Sequence, residues 1–488
     1  MIERSGMGRR RWLATASVIG LIAAAGTAAA EVPNDNFSPN APPVLADPDA
    51  INGIGNIIVD TGGGSVGVCT GSLINPRTVL FAAHCVNDLP DVAYGSQGQG
   101  RPISIGFKGD AFDGILNWIT SGDYATSYID QHYNMSRVFY DPRSLEDAQG
   151  GGFYEGDVAI GVLDSPAKGV PTWAMLFSPL TGDEDRHVIT GGYGASGTGS
   201  LGAVQGIDFR RRAAENMIGA LTSLDDIDLF LFGDGAQGGL SQNLYMVDFD
   251  DPAGTATFDF NIFGDDVALE NEGMTAGGDS GGPLILDRAF DTPVVVGVLS
   301  LGSRYFNGQG SASYGTTAGY QPLYLFTDWI VANNPYKYVT TTGGNGDWFD
   351  PAHWVQMMDP NYKIVDANGN LITGLPDTPA EGVDSRGGEW GSICFFGDCV
   401  DAGELADYNH DREDGLSGGA TVVNAEVTGG RTQVAIDGIV AGGAAGGSRG
   451  ETASGLTVRH EAAAVGTAPG ASQPFEIVPG GPGSTNFV

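Results

Sequence analysis

A single serine sits in the run TAGGDSGGPLIL, from Thr275 to Leu286, with Asp279 directly before it and glycine on both sides. A serine hydroxyl is a poor nucleophile at neutral pH. It needs a base to take its proton, a partner to orient that base, and donors for the oxyanion that forms on attack. The glycines meet the last need: Gly278 and Gly281 allow a tight turn that aims the N–H groups of Gly278 and Ser280 at one spot and leaves room for an approaching carbonyl. The candidate base is His84, which ends the apolar run TVLFAAHC beside Cys85. The other five histidines, His132, His187, His353, His410 and His460, stand in polar or loop-like sequence and read as surface residues. The candidate orienting acid is Asp157, immediately before Val158, Ala159 and Ile160; Asp164, near Pro166, reads as a turn residue. The bland alternatives are a glycine-rich hairpin for Ser280, a packed core histidine for His84 and a solvated strand-start carboxylate for Asp157.

The elements that must position these groups read as strands. NIIVD, TVLFAAHC, VAIGVL, HVITGGYG, PLILD and PVVVGVLSL are strand-length, rich in Val and Ile, and broken by Gly, Asp and Asn. The 78 glycines in 488 residues suit many tight turns and argue against a mostly helical chain. Late in this region PLYLFTDWIVANN places Leu325, Trp329 and Ile330 at helical spacing. The expected fold class is therefore all-β with a helix closing the main region. A net charge of −36 excludes nucleic acid as a natural partner and keeps the chain from anionic membranes.

Arg9, Arg10 and Arg11, then an apolar run from Trp12 to about Ala25, then Ala28, Ala29 and Ala30, read as an export signal with the mature chain beginning near Glu31. The run is short for a membrane anchor, and no other segment is long and apolar enough to span. The expected location is secreted or periplasmic. Four cysteines in an exported chain imply two disulfides, and spacing suggests Cys69–Cys85 and Cys394–Cys399; a four-cysteine zinc site would need all of them in one place.

Three motifs in order resemble the chymotrypsin/trypsin-like serine peptidases. GSLINPRTVLFAAHC (Gly71 to Cys85) looks like that family's histidine motif, GDVAIGVL its aspartate motif, and GGDSGGP (Gly277 to Pro283) its serine motif unaltered. GGYG, VVGVLSLG and DWI are lesser matches, and the resemblance covers residues 51–334. It implies two six-stranded antiparallel Greek-key barrels with the triad His84, Asp157 and Ser280 between them, an oxyanion hole from Gly278 and Ser280, and Ser300, Leu301 and Gly302 pairing with substrate backbone. Met274, six residues before Ser280, and Ala318, counted back from Trp329, fall where the family's specificity pocket lies, implying an apolar or small side chain before the scissile bond. No cofactor or metal is implied. Departures are Ala276 where the family often has a cysteine, and Leu301 where it has tryptophan. Family members with a zymogen form bury a new N-terminus beside the aspartate before the serine; here cleavage before Ile51 would supply one to Asp279.

The rest divides by texture: a Pro-, Asn- and Asp-rich leader over 31–50, a Trp- and Cys-containing accessory region over 335–414, and a Gly- and Ala-rich, β-prone tail over 415–488. Pieces such as ATVVNAEV and TQVAIDGIV read as the start of a β-solenoid or as a low-complexity tail, with a surface-attachment role as one expectation. Asp407, Asn409 and Asp411 alternate as in a calcium loop, but Arg412 and Gly418 stand where glycine and an acid belong, so a solvated turn is expected. The resulting expectation is a secreted serine endopeptidase acting on protein or peptide substrates. The rivals are an inactive peptidase-like adhesin or binding module and a peptidase passenger of an autotransporter; no barrel-length run of alternating strands follows the tail in these residues.

Overall fold

The computed structural model describes residues 31–37, 51–95, 100–145, 155–232, 240–264, 268–306, 308–380, 382, 387–395 and 398–405, with three short strands beyond them, Glu426–Thr428, Thr432–Ala435 and Val458–His460. The expected export signal, most of the leader and the acidic run around Asp407, Asn409 and Asp411 lie outside the described residues.

Six antiparallel strands form a closed barrel: β1 (Ile54–Gly62), β2 (Ser65–Asn75), β3 (Thr78–Phe81), β4 (Ile103–Gly106), β5 (His132–Tyr140) and β6 (Ala159–Leu163). Their order is β1-β4-β5-β6-β3-β2, and β2 returns to β1 to shut the ring. The β1–β2 hairpin turns through Gly63 and Gly64, at φ +66° and +81°, where an L side chain would be strained. Closure gives one apolar interior holding Ile57, Leu73, Val79, Ile105, Tyr133 and Ile160, while the Ser65–Val68 end of β2, beyond its pairing with β3, keeps an edge for another strand.

The second half differs from the expected six-stranded barrel. Seven strands, β7 (His187–Gly192), β8 (Arg212–Met217), β9 (Ala220–Thr222), β10 (Leu244–Asp248), β11 (Pro283–Leu286), β12 (Val294–Arg304) and β13 (Thr317–Pro322), run β8-β7-β11-β12-β13-β10-β9 in a curled half-barrel. The architecture is thus an all-β two-barrel fold with one half left open. In place of ladder bonds across the gap, the buried Asn216 of β8 donates from its side chain to the carbonyl of Asp248 on β10 (2.8 Å) and to that of Gly273 (3.0 Å). Asn216→Leu leaves both carbonyls unpaired in the interior. It is expected to cost about 1–3 kcal/mol, read as a lowered thermal midpoint.

The expected helix is present as Thr327–Asn333, with Ile330 fully buried. The accessory region packs onto the second sheet: Tyr362–Val365 pairs in parallel with Met175–Leu176, and Ile393 and Phe395 share an apolar cluster with Leu301 of β12. Both expected disulfides form, Cys69–Cys85 and Cys394–Cys399; the second clasps a hairpin of Ser392–Phe395 with Asp398–Asp401. Among the described residues no helix is long and apolar enough to cross a membrane.

Candidate active site

His84 lies in a single 3-10 turn, Ala83–Cys85, just past β3. Three constraints hold it. Cys85 is bonded to Cys69 on β2, the His84 backbone N–H donates to Asp157 Oδ1 (2.8 Å), and the ring Nδ1 meets Asp157 Oδ2 (2.7 Å). Asp157 is fully buried two residues ahead of β6, and β6 pairs with β3 so that Phe81 faces Ala159. The strand register therefore sets the carboxylate against the histidine turn. Cys69, His84 and Cys85 offer potential metal-binding atoms close together, but the two sulfurs are bonded to each other and supply no thiolate.

Asp157 has a further partner that sequence reasoning did not assign to it. Ser300 was expected to meet substrate through its backbone; its hydroxyl donates to Asp157 Oδ2 (2.6 Å). Gln321 Nε2 donates to that hydroxyl (3.1 Å), Gln242 donates to Gln321, and Gln242 Oε1 accepts from the N–H of Gly156 (2.8 Å). This buried ring joins the two halves of the molecule around the carboxylate. Gln242 and Gln321 escaped the sequence reading, although a glutamine inside the apolar run TAGYQPLYL is the kind of polar residue that must find a partner when buried.

Ser280 arrives from the second sheet, and its carbonyl accepts from the N–H of Thr70 on β2 (2.8 Å) with Cys85 Sγ at 3.9 Å. The next residue, Gly281, donates to Leu299 on β12 (2.9 Å). The serine is thus pinned between β2 and β12, beside the turn that carries His84. Both flanking glycines are required. Gly278 has φ +102° and a Cβ there would come within 2.6 Å of Gly194 Cα; Gly281 has φ +84° and a Cβ there would lie 2.5 Å from the Thr70 carbonyl. Among the described residues the N–H groups of Gly278 and Ser280 and the Ser280 hydroxyl make no hydrogen bond. Such donors stay available to an incoming oxyanion, and nucleophile–base bonds commonly tighten only when substrate is bound.

Asp279 is fully buried and accepts from the N–H groups of Gly194 (3.1 Å), Ala276 (3.0 Å) and Glu31. Burial pushes its carboxyl up to about 7, against the pull of those donors and of the Arg212 charge. The Glu31 side chain is also fully buried, and burial followed by repulsion from Asp279 holds its carboxyl well above the usual range. Val32 then pairs with Met274, fixing this segment. Ile51 is buried, but its N–H is not among the three donors to Asp279; Glu31 holds that place.

The two residues expected in the specificity pocket are enclosed. Met274 and Ala318 are both buried in the cluster of the second half, and Ala318 stands opposite Gly302 in the β12–β13 ladder. The Leu301 side chain turns into the cluster shared with Ile393 and Phe395. Two cavities, one at Asp35 and Tyr314 and one at Phe177 and Trp390, do not include Ser280.

Two of the expected surface histidines are buried. His132 meets Ser104 Oγ (2.8 Å), and burial pushes it down to about 3, which keeps it neutral. His187 Nδ1 meets Asp287 (2.6 Å), with Glu215 at 3.4 Å from Nε2. Both open strands, and residues distant in the chain cover them: Trp118 lies against the His132 ring, and Asp287 and Glu215 flank that of His187. His353 is partly buried near Trp354, while His410 lies outside the described residues.

Compared with known protein families the chain matches no family model, and no curated protein resembles it in sequence.

Proposed function

We propose that this chain is a secreted or periplasmic serine endopeptidase of the chymotrypsin/trypsin-like kind. The observation that carries this reading is the buried His84–Asp157 pair, joined by two hydrogen bonds, with Ser280 pinned to the strand beside it in a turn whose Gly278 and Ser280 N–H groups are uncommitted. Asp157 holds the Nδ1 proton on His84, leaving Nε2 to take the Ser280 proton. Ser280 Oγ attacks the peptide carbonyl, and Gly278 and Ser280 N–H groups receive the oxyanion. His84 then protonates the leaving amine, and water repeats the sequence on the acyl-enzyme. The enclosed Met274 and Ala318 favour a small or apolar side chain before the cut. A fluorophosphonate is expected to label Ser280 in the folded wild type and not in Ser280→Ala. Folded wild-type protein that stays unlabelled would instead support a peptidase-like binding module.

The same reading accounts for maturation. Cleavage before Glu31 would place a new ammonium on the nitrogen that already donates to Asp279. Two acids raised by burial destabilise the fold as pH climbs from their unfolded value near about 4 toward the folded Asp279 value of about 7. An ammonium at Glu31 offsets that loss. The thermal midpoint of a Ser280→Ala chain beginning at Glu31 should exceed that of the chain from Met1, by a gap that widens between pH 5 and 7. A gap independent of pH would remove Asp279 as the partner of the new terminus.

A further inference from the structure

The cleft edges on both sides of Ser280 already carry strands from this chain's own tail. Glu426–Thr428 pairs antiparallel with Gly302, Ser303 and Arg304 on the outer edge of β12, with Thr428 opposite Gly302. Four residues further on, Thr432–Ala435 pairs antiparallel with Val68, Gly67, Val66 and Ser65 on the outer edge of β2, with Thr432 opposite Val68 and fully buried. The two edges belong to different halves of the molecule. They meet at the serine: Thr70, two residues past Val68, bonds the Ser280 carbonyl, and Leu299, three before Gly302, bonds Gly281. Residues 429–431 between the two strands lie outside the described residues.

We propose that the tail strands Glu426–Thr428 and Thr432–Ala435 are an internal ligand of the Ser280 cleft, adding a strand to each wall and restraining the access of other peptides to the serine. The occupant uses main-chain pairing, which needs no particular side chains and suits an edge that would accept extended peptides of many sequences. The restraint rests on the peptidase reading; the occupancy does not. Every other tail residue with described structure is consistent with this path, since Val458–His460 pairs on the far side of Thr432–Val434 and holds it against β2.

The test uses the full chain with Val427→Pro, Thr428→Pro and Gln433→Pro, which remove ladder donors on both walls and disfavour strand geometry there. Hydrogen exchange is measured in the Ser280→Ala background, with and without the three prolines, so that no turnover intervenes. Faster exchange at 65–68 and 302–304 in the proline chain supports occupancy, and unchanged exchange overturns it. Fluorophosphonate labelling is then timed in chains that keep Ser280. A cleft occupied about nine-tenths of the time predicts roughly tenfold faster labelling once the segment is released; an equal rate overturns the restraint. A Ser280-dependent cut between Thr428 and Thr432, seen by intact mass, also supports the placement. Labelling of neither chain would sink the peptidase reading, while the exchange data still decide where the tail lies.

Discussion

Replacing either Ser280 or His84 with alanine should lower kcat on a peptide substrate by about a million-fold, and replacing both should cost scarcely more. The two act as one unit: without His84 the hydroxyl keeps its proton, and without Ser280 the imidazole has nothing to activate. Residual rate above water, on the order of a thousandfold, should survive in all three variants because Gly278 and Ser280 N–H groups and the cleft walls remain. KM should move little, since substrate pairs with main chain. Ser280→Ala removes a single oxygen that makes no hydrogen bond among the described residues, so its thermal midpoint should stay near wild type, whereas His84→Ala takes a partner from the buried Asp157 carboxylate and should lower it. Additive losses in the double variant would show that the two residues do not share a step.

The second large effect falls on Asp157. Its carboxylate accepts three hydrogen bonds: Oδ1 takes the His84 backbone N–H, and Oδ2 takes both the His84 ring and the Ser300 hydroxyl. An asparagine cannot replace it in either orientation. With the amide nitrogen toward the ring, Nδ1 must become an acceptor and the proton moves to Nε2, the atom that should receive the serine proton. With the amide nitrogen toward the backbone, two N–H groups face each other within the turn that carries His84. Asp157→Asn is therefore expected to lower kcat by roughly ten-thousandfold near neutral pH. The rate should partly recover at high pH, where hydroxide assists removal of the serine proton. Ser300→Ala serves as the comparison, because it removes one donor to the same oxygen and leaves the tautomer intact; its loss should be far smaller. Equal losses in the two variants would mean that Asp157 acts by packing alone.

Much of this was legible in the chain. GGDSGGP turns because Gly278 and Gly281 stand at positive φ, a preference local enough to read from sequence; that Gly194 and Thr70 leave no room there for a Cβ is decided by the fold. The apolar runs with Val and Ile gave strands for the same reason, and the short separations of Cys69 from Cys85 and Cys394 from Cys399 gave the disulfides. The proximity of His84 to Asp157 was suggested by motif and order, and becomes physical only through the pairing of β3 with β6.

Other features depend on partners far apart in the chain, and no local pattern encodes them. The Gln242–Gln321–Ser300 path to Asp157 joins residues brought together by the packing of one half against the other. His132 and His187 look polar in sequence, yet both rings are buried among residues distant in the chain, Trp118 for the first and Glu215 and Asp287 for the second. Ile51 looked like a buried terminus because it is apolar, whereas Glu31 sits beside Asp279 because Val32 pairs with Met274. The tail strands read only as alternating, glycine-bounded pieces; which edge each joins was set by the free edges of β2 and β12. Residue types and spacing determined the chemistry this chain can attempt, since turn geometry and nucleophile identity are properties of a few adjacent residues. Tertiary structure alone decided what surrounds that chemistry, because burial, counter-charge and strand addition arise between segments that sequence order keeps apart.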